Sequence, residues 1–171
     1  MIFIHKVIVI NGMPRSGKDT FVSFVSKYAT TTNFSSVDFV KDVARFAGWN
    51  GEKDPRSRLF LSKLKELLAE YDDIPYKKIA EEIHWFKNQP EQELLFIHIR
   101  EPGEITRIVR DFGAMTVLVK RSNNQQVVSN DSDKYTESYN YDFVLNNDSD
   151  LDALDAKARG FVNYLKRGQG V

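Results

Sequence analysis

A chain of 171 residues, of which 42% are hydrophobic and 28% are charged, has the length and composition of one soluble domain. Its 24 basic and 24 acidic residues cancel, which argues against a broad basic face, so no nucleic-acid polymer is expected as a partner. Cysteine is absent, which excludes disulfides, thiolate metal sites and cysteine nucleophiles and indicates a cytoplasmic location.

The chain begins with a short apolar segment, MIFIHKVIVI. The segment is interrupted by His5 and Lys6 and is far shorter than the roughly 20 residues that a membrane span requires. We therefore expect no membrane partner and interpret residues 7–10 as a first strand, because their β-branched side chains suit a strand buried on both faces. The later segment FVSFVSKYA has apolar residues at helical spacing, which predicts a strand, a glycine-rich turn and a helix in succession.

The middle of the chain is predicted to be mostly helical. A short strand is expected near residues 33–36, and the following VDFVKDVARFAGW has the spacing of an amphipathic helix. In the next helix Asp54 is expected to be the N-cap and Pro55 the first helical residue. The apolar stripe of that helix consists of Leu61, Leu64, Leu67 and Leu68. A third helix is predicted from near Pro75 to a break at residues 88–90.

Strands and helices alternate in the second half of the chain. The predicted order is a strand in ELLFIHI, a helix in REPGEITRIVRDFG that ends at Gly113, and strands in AMTVLVK and YDFVLNND. A terminal helix is expected to begin at a cap formed by Asp148 or Asp150. Between the last two strands, residues 121–140 form a long polar stretch that is typical of a lid or binding loop. The pattern predicts an α/β fold with a mainly parallel sheet covered by helices.

A phosphate-binding loop is predicted between the first strand and the first helix. Gly12, Gly17 and Lys18 fit the pattern G-x-x-x-x-G-K, and the flanking strand and helix supply the context that this pattern needs. Backbone N–H groups and the helix N-terminus would bind phosphate, and the lysine would add a mobile cation. The alternative is a glycine-rich turn with a solvated lysine. The residues predicted to bind ATP are Gly12, Arg15, Ser16, Gly17, Lys18, Asp19 and Thr20.

Asp19 stands where such loops usually have a serine or threonine. A carboxylate is a hard oxygen ligand, so Asp19 could bind Mg²⁺ directly or through a water, and Thr20 could supply the missing hydroxyl. The alternative for Asp19 is a carboxylate that the helix dipole favours in the first turn. Both interpretations remain open from the sequence.

The Gly-Lys-Asp ending in GMPRSGKDT and three later segments in matching order carry a resemblance to a known family. FIHIREPGEITRIVRDFGAMTVLVKR places Arg100, Pro102 and Glu104 on that family's Asp-x-Arg-aromatic-Pro-x-Glu turn. His98 replaces the family's aspartate there. SDKYTESYNYDFVLNND has its Thr-Glu pair, and YDFVLNNDSDLDAL is similar to its last strand and Asn-Asp ending. The chain resembles the deoxynucleoside monophosphate kinases, a branch of the P-loop nucleoside monophosphate kinases that is related to phosphomevalonate and dephospho-coenzyme A kinases.

The resemblance implies a three-layer P-loop NTPase fold of the adenylate-kinase type, with a mainly parallel five-stranded sheet. It implies one kinase domain over residues 1–171, with an acceptor-binding helical segment at about residues 37–90 and a lid at about residues 121–140. ATP and Mg²⁺ are the cofactors that it implies.

Phosphoryl transfer needs a set of cations around the transferred group. Lys18 is expected to bind the β- and γ-phosphates, with help from Arg15 and Lys41. Arg100 is expected to bind the phosphate of the acceptor, because a guanidinium fork suits that group; its alternative is a salt bridge to Glu101 or Glu104. Arg121 either reaches the transferred phosphoryl group as an arginine finger does, or is a solvated surface residue.

Four residues are predicted to bind the acceptor: Asp38, Lys41, Arg100 and Glu104. Asp38 either orients an acceptor hydroxyl or a metal-bound water, or caps the following helix. Glu104 either holds the acceptor's base or ribose, or is favoured by the helix dipole. His98 lies where such kinases have a metal-orienting carboxylate, and we interpret it as a packed, hydrogen-bonded core residue.

The predicted function is phosphoryl transfer from ATP to a small phosphorylated acceptor, foremost a nucleoside or deoxynucleoside monophosphate. Phosphomevalonate and dephospho-coenzyme A are alternative acceptors. A nucleotide-binding protein without efficient catalysis is the alternative from another class, and the chain is expected to be a monomer or a homodimer.

Overall fold

The computed structural model describes residues 4–122 and 135–168. Within these residues the chain alternates between strands and helices. The strands are β1 (Lys6–Asn11), β2 (Thr31–Ser35), β3 (Leu94–His98), β4 (Met115–Lys120) and β5 (Phe143–Asn146). The helices are α1 (Lys18–Val25), α2 (Ser36–Phe46), α3 (Pro55–Asp72), α4 (Ile74–Lys87), α5 (Pro102–Phe112) and α6 (Leu151–Arg167).

The five strands form one parallel sheet in the order β2-β3-β1-β4-β5. β1 lies at the centre, with Ile10 opposite His98 of β3 on one side and opposite Val117 of β4 on the other. The predicted fold class, α/β with a mainly parallel five-stranded sheet covered by helices, is confirmed. Because every pair is parallel, the residues that follow β1 and β3 emerge at the same edge of the sheet.

Alternating residues of the strands build two separate hydrophobic cores, one on each face of the sheet. On one face Ile8 and Ile10 pack with Phe21 of α1 and Phe161 of α6. On the other face Val7, Val9, Ile97 and Ile99 pack with Ile79, Ile83 and Phe86 of α4 and with Ile105 and Ile108 of α5. Helices therefore cover both faces, which explains why the central strands are apolar at almost every position.

Several helix ends lie where the sequence predicts them. The Asp54 carboxylate accepts a hydrogen bond from the Ser57 N–H at 2.6 Å, and the Asp150 carboxylate accepts one from the Ala153 N–H at 2.9 Å. α5 ends at Gly113, whose φ of 65° is easily adopted by glycine. Asp148 does not cap α6, because its carboxylate accepts hydrogen bonds from Ser122 instead.

α3 is less buried than its leucine pattern predicts. Leu61, Leu64 and Leu68 are half-buried, and Leu67 is exposed. The reason is that α3 packs on α2 and α4 rather than on the sheet, so its stripe contacts other helices at the edge of the molecule. None of the helices in the described ranges combines the length and the apolar character needed to cross a membrane.

Candidate active site

The loop of residues 12–17 joins the end of β1 to the start of α1 and has no room for side chains at its two glycines. A Cβ atom on Gly12 would lie 2.5 Å from the Ser16 Oγ and 2.7 Å from the Val119 carbonyl oxygen. Gly17 has a φ of 89°, and Arg15 also has a positive φ, of 64°. The backbone is therefore folded back on itself before the helix begins, which is the geometry in which successive N–H groups form a concave anion site.

Asn147, which follows β5, fixes this loop to the sheet. Its Nδ2 donates a hydrogen bond to the Ser16 carbonyl oxygen at 2.9 Å, and its backbone N–H donates to the Lys120 carbonyl oxygen at 2.7 Å. A Cβ on Gly17 would lie 2.2 Å from the Asn147 Nδ2. Asn147 was not among the predicted site residues, although it belongs to the Asn-Asp ending that contributed to the resemblance.

Ser16 supplies a further indication that the loop fits an anion. The side chain is 1% exposed, and its Oγ has no hydrogen-bond partner among the described residues. A buried hydroxyl without a partner costs free energy, and a phosphate oxygen would provide an acceptor for it. The loop's folded backbone, the N-terminus of α1 and this hydroxyl together suit the phosphate tail of ATP.

The Lys18 ammonium lies at this loop and has two partners. Its Nζ is 2.9 Å from the Asp19 Oδ1 and 3.0 Å from the His98 Nδ1. Burial alone would raise the pKa of Asp19, but the hydrogen bond and charge of Lys18 outweigh it and lower that pKa. Asp19 is therefore ionised at neutral pH, and its side chain is 84% exposed. An exposed carboxylate at the start of α1 suits Mg²⁺, which takes one or two carboxylates and completes its shell with water and phosphates.

The alternative role of Asp19 is also compatible with the structure. Gly17 is the N-cap of α1 and makes no side-chain cap, while Asp19 lies in the first turn, where the helix dipole favours a negative charge. The hydrogen bond from Lys18 shows that the Asp19 side chain turns toward the loop.

Arg100 directly follows β3 at the same edge of the sheet as the loop. Its carbonyl oxygen accepts a hydrogen bond from the Asn11 Nδ2 at 3.2 Å, so the turn after β3 is tied to the end of β1. The Arg100 side chain is half-buried. The two glutamates that the sequence offers as its ion-pair partners, Glu101 and Glu104, each contact Lys65 at 3.0 Å.

Lys65, a residue of α3, is absent from the predicted site. It joins α3 to the start of α5, and its side chain is 19% exposed. Burial would lower the pKa of Lys65, but the charges of Glu104 and Glu101 outweigh it and raise that pKa. Burial raises the pKa of Glu104 to about 7 with a smaller contribution from Glu101, and Lys65 only partly opposes this rise. Nothing in the sequence around Lys65 indicates this contact, since it depends on how α3 packs.

Asp38 and Lys41 contact each other rather than the loop. The Lys41 Nζ donates to the Asp38 Oδ1 at 3.2 Å along α2, and the Asp38 side chain is 60% exposed. The alternative in which Asp38 caps α2 is wrong, because the N-cap is Ser35, whose hydroxyl accepts a hydrogen bond from the Val37 N–H. The N-cap therefore lies three residues before Asp38, which places Asp38 in the first turn of the helix.

Arg121 is exposed at the end of β4, where the predicted lid begins. The Ser122 N–H and hydroxyl both donate to Asp148, and these hydrogen bonds lower the pKa of Asp148, with smaller contributions from Lys157 and Arg121. Arg121 thus lies near Asp148 at the base of the predicted lid. Residues 123–134, which form most of that lid, lie outside the described residues, so the arginine-finger role stays a prediction.

His98 is a member of the site rather than of the core alone. Its side chain is 13% exposed, and besides Lys18 it contacts the Asn33 Oδ1 through Nε2. The prediction of a packed, hydrogen-bonded core residue is compatible with this burial and these contacts, but one of the two partners is the lysine of the phosphate loop. The alternation of side chains along β3 could have indicated that His98 lies near Lys18. His98 shares a face of the strand with Phe96, which packs in the same core as Phe21 of α1.

No protein-family model matches the sequence, and a comparison with curated proteins found no match. Among solved structures the chain is similar to TT1252 from Thermus thermophilus, with a TM-score of 0.55 and 18% identity over 95% of this chain and 98% of that one. A candidate kinase from Chloroflexus aurantiacus J-10-fl has a TM-score of 0.54 and 12% identity over 96% and 99%. An unliganded sugar kinase from Janibacter sp. HTCC2649 has a TM-score of 0.50 and 12% identity over 92% and 94%. These similarities show that the fold is shared.

Proposed function

We propose that this protein is a phosphotransferase that uses ATP and Mg²⁺ to phosphorylate a small phosphorylated acceptor, foremost a nucleoside or deoxynucleoside monophosphate. The observation that carries the proposal is the loop of residues 12–17, folded between a buried strand and a helix with the Lys18 ammonium beside it. Two of the similar structures are named as kinases, which supports the same class of reaction.

In this proposal the chain binds the two substrates from opposite sides of the edge where β1 and β3 end. The backbone of the loop, Ser16 and Lys18 bind the phosphate tail of ATP, and Arg15 assists them. Asp19 and Thr20 hold Mg²⁺, which would neutralise charge on the phosphates as the phosphoryl group is transferred. The remaining work of the protein is to position charged groups and to exclude water.

On the acceptor side, the proposal assigns the phosphate of the acceptor to Arg100. The Glu104 carboxylate and the Asp38–Lys41 pair lie on helices that surround the same edge, and we assign them to the rest of the acceptor. Arg121 is assigned to the transferred group. Phosphomevalonate and dephospho-coenzyme A remain the alternative acceptors, since each also carries a phosphate for Arg100.

The proposal is tested by measuring ADP release with a panel of acceptors in the presence of ATP and Mg²⁺. We expect at least one nucleoside or deoxynucleoside monophosphate to raise ADP release above the acceptor-free background. Lys18→Ala should reduce that rate about 100-fold or more, because it removes a cation that stabilises the transition state. Lys78→Ala is the matched control, since Lys78 pairs with Glu81 on the surface of α4. If no acceptor raises turnover, the proposed function is wrong.

A second candidate is a nucleotide-binding protein without efficient catalysis. The observation that favours it is that the Lys18 ammonium already contacts both Asp19 and His98, and that a histidine stands where a metal-orienting carboxylate is usual in the resembling family. This candidate predicts that calorimetry detects ATP binding, while no acceptor increases ADP release. Acceptor-dependent turnover would exclude it.

A further inference from the structure

His98 connects a polar side chain of β2 to the lysine of the phosphate loop. Its Nδ1 lies 3.0 Å from the Lys18 Nζ, and its Nε2 is hydrogen-bonded to the Asn33 Oδ1. The three side chains come from β2, the end of β3 and the start of α1, which converge at one edge of the sheet. The contact is therefore created by the fold and not by neighbours in the sequence.

The donors and acceptors fix which nitrogen of His98 carries the proton. An ammonium group has only donors, so the Nδ1 that faces Lys18 must accept and cannot carry a proton. The proton of the neutral ring then lies on Nε2, where it donates to the Asn33 amide oxygen. Asn33 thus holds the ring in one tautomer, in the way that a hydrogen-bond partner fixes a catalytic histidine.

The electrostatic surroundings agree with a neutral ring. The His98 side chain is only 13% exposed, and the positive charge of Lys18 lies 3.0 Å from its Nδ1. Burial and an adjacent positive charge both disfavour a second proton on an imidazole. The Asp19 Oδ1 lies farther from the Nδ1, at 3.8 Å. A neutral acceptor orients an ammonium without cancelling its charge, whereas a carboxylate at the same place would form an ion pair with it.

We propose that His98 is a positioning residue that holds the Lys18 ammonium at the phosphate loop as a neutral acceptor, with Asn33 fixing its tautomer. The inference rests on the proposed phosphotransferase function, because Lys18 acts on the phosphates of ATP there. Its consequence is that His98 orients the ammonium without adding a second negative charge to that of Asp19, which already contacts Lys18.

Two isosteric substitutions separate this role from a general structural one. In His98→Asn the amide oxygen can occupy the place of Nδ1, so the acceptor for Lys18 is kept. In His98→Gln the amide reaches the place of Nε2, so the contact with Asn33 is kept and the acceptor for Lys18 is lost. We expect His98→Asn to keep kcat within about threefold, and His98→Gln to lower kcat about tenfold or more, with little change in the KM of the acceptor.

The matched control is His84→Asn, since His84 is exposed on α4 and its Nδ1 contacts the Ala80 carbonyl oxygen of its own helix. This variant should behave as the unmodified protein does. Thermal unfolding of each variant shows whether it is folded. A second measurement does not depend on the activity of any variant: the ¹⁵N NMR spectrum of the unmodified protein labelled at histidine.

In that spectrum the ring assigned to His98, by its loss in His98→Asn, should show an unprotonated Nδ1 and a protonated Nε2. A protonated Nδ1, or equal loss of kcat in His98→Asn and His98→Gln, would overturn the proposal while leaving the phosphotransferase function in place. Failure of the unmodified protein to bind ATP in calorimetry is a different result, because it would overturn the proposed function and with it the role of His98.

Discussion

The Lys65 ammonium lies between the carboxylates of Glu101 and Glu104, at 3.0 Å from each. One positive charge cannot offset two negative charges in a partly buried place, so one proton is retained to higher pH than usual. Burial is the main cause that raises the pKa of Glu104 to about 7; Lys65 acts against it, and Glu101 adds to it. The free energy of unfolding should therefore depend on pH through this side chain.

The direction of that dependence follows from the two pKa values of Glu104, about 7 in the folded protein and 4.5 as its ordinary value. The stability that the raised pKa contributes is complete below pH 4.5 and is lost as the pH rises through 7. Relative to Glu104→Gln, the free energy of unfolding of the unmodified protein should fall by about 1 kcal/mol between pH 5 and pH 8, a value reduced for solvent screening. Urea unfolding at matched pH values measures it.

Glu66→Gln is the matched control for this experiment, because Glu66 is an exposed glutamate on the same helix as Lys65. Its free energy of unfolding should keep the pH dependence of the unmodified protein. Equal pH dependence in the unmodified protein and in Glu104→Gln would show that Glu104 titrates normally.

A buried chain of hydrogen bonds joins β1, the turn before α5 and the segment before β5. The Asn11 Oδ1 accepts from the Gly12 N–H, and its Nδ2 donates both to the Arg100 carbonyl oxygen and to the Tyr141 hydroxyl at 2.9 Å. The Tyr141 hydroxyl in turn donates to the Thr136 carbonyl oxygen at 2.6 Å. Burial raises the pKa of Tyr141 to about 12, so the phenol keeps its proton and remains a donor.

Tyr141→Phe removes the central hydroxyl of this chain and keeps the ring. The substitution takes one partner from the Asn11 Nδ2 and one from the Thr136 carbonyl, both of which are buried, so the free energy of unfolding should fall by about 1–2 kcal/mol. Tyr164→Phe is the control, because the Tyr164 side chain is 54% exposed and its ring keeps its contact with Phe143. Urea unfolding that shows equal losses for both variants would contradict the structural role of the hydroxyl.

The elements of the fold were largely predictable, because their signals are local. Each signal concerns residues that are close together in the sequence. Examples are the caps at Asp54 and Asp150, the glycine after α5 and the apolar runs of the strands. The cap of α2 was not predicted: the sequence analysis considered Asp38 for this role, whereas the structure has Ser35 there.

The candidate site was only partly predictable. The phosphate loop is contiguous, so its glycines and lysine could be found from their spacing, whereas the residues that fix it come from distant segments. Asn147 reaches the loop from beyond β5, Lys65 reaches the start of α5 from α3, and His98 reaches Lys18 across the sheet edge. Such contacts join residues that are far apart in the chain, so local sequence patterns do not reveal them.

Burial is distributed unevenly over the whole chain. β1 lies between β3 and β4 and contributes to both hydrophobic cores. Five of the 17 residues of α6 are buried against the sheet, namely Leu154, Ala158, Phe161, Val162 and Leu165. Among the 18 residues of α3, all of them described, only Ser57 is buried. Segments with few buried contacts open with a lower free energy than the rest of a domain.

Hydrogen exchange followed by mass spectrometry should therefore show α3 exchanging faster than β1 and α6, because α3 can open without disturbing either core.

Two leucine substitutions test the same distribution of stability. Leu154→Ala removes a side chain that is 2% exposed and should lower the free energy of unfolding by about 2–5 kcal/mol. Leu67→Ala removes one that is 62% exposed and should change it by less than about 1 kcal/mol. Exchange of α3 as slow as that of β1, or equal costs for the two leucines, would contradict this view, because both results require α3 to be as firmly packed as the sheet.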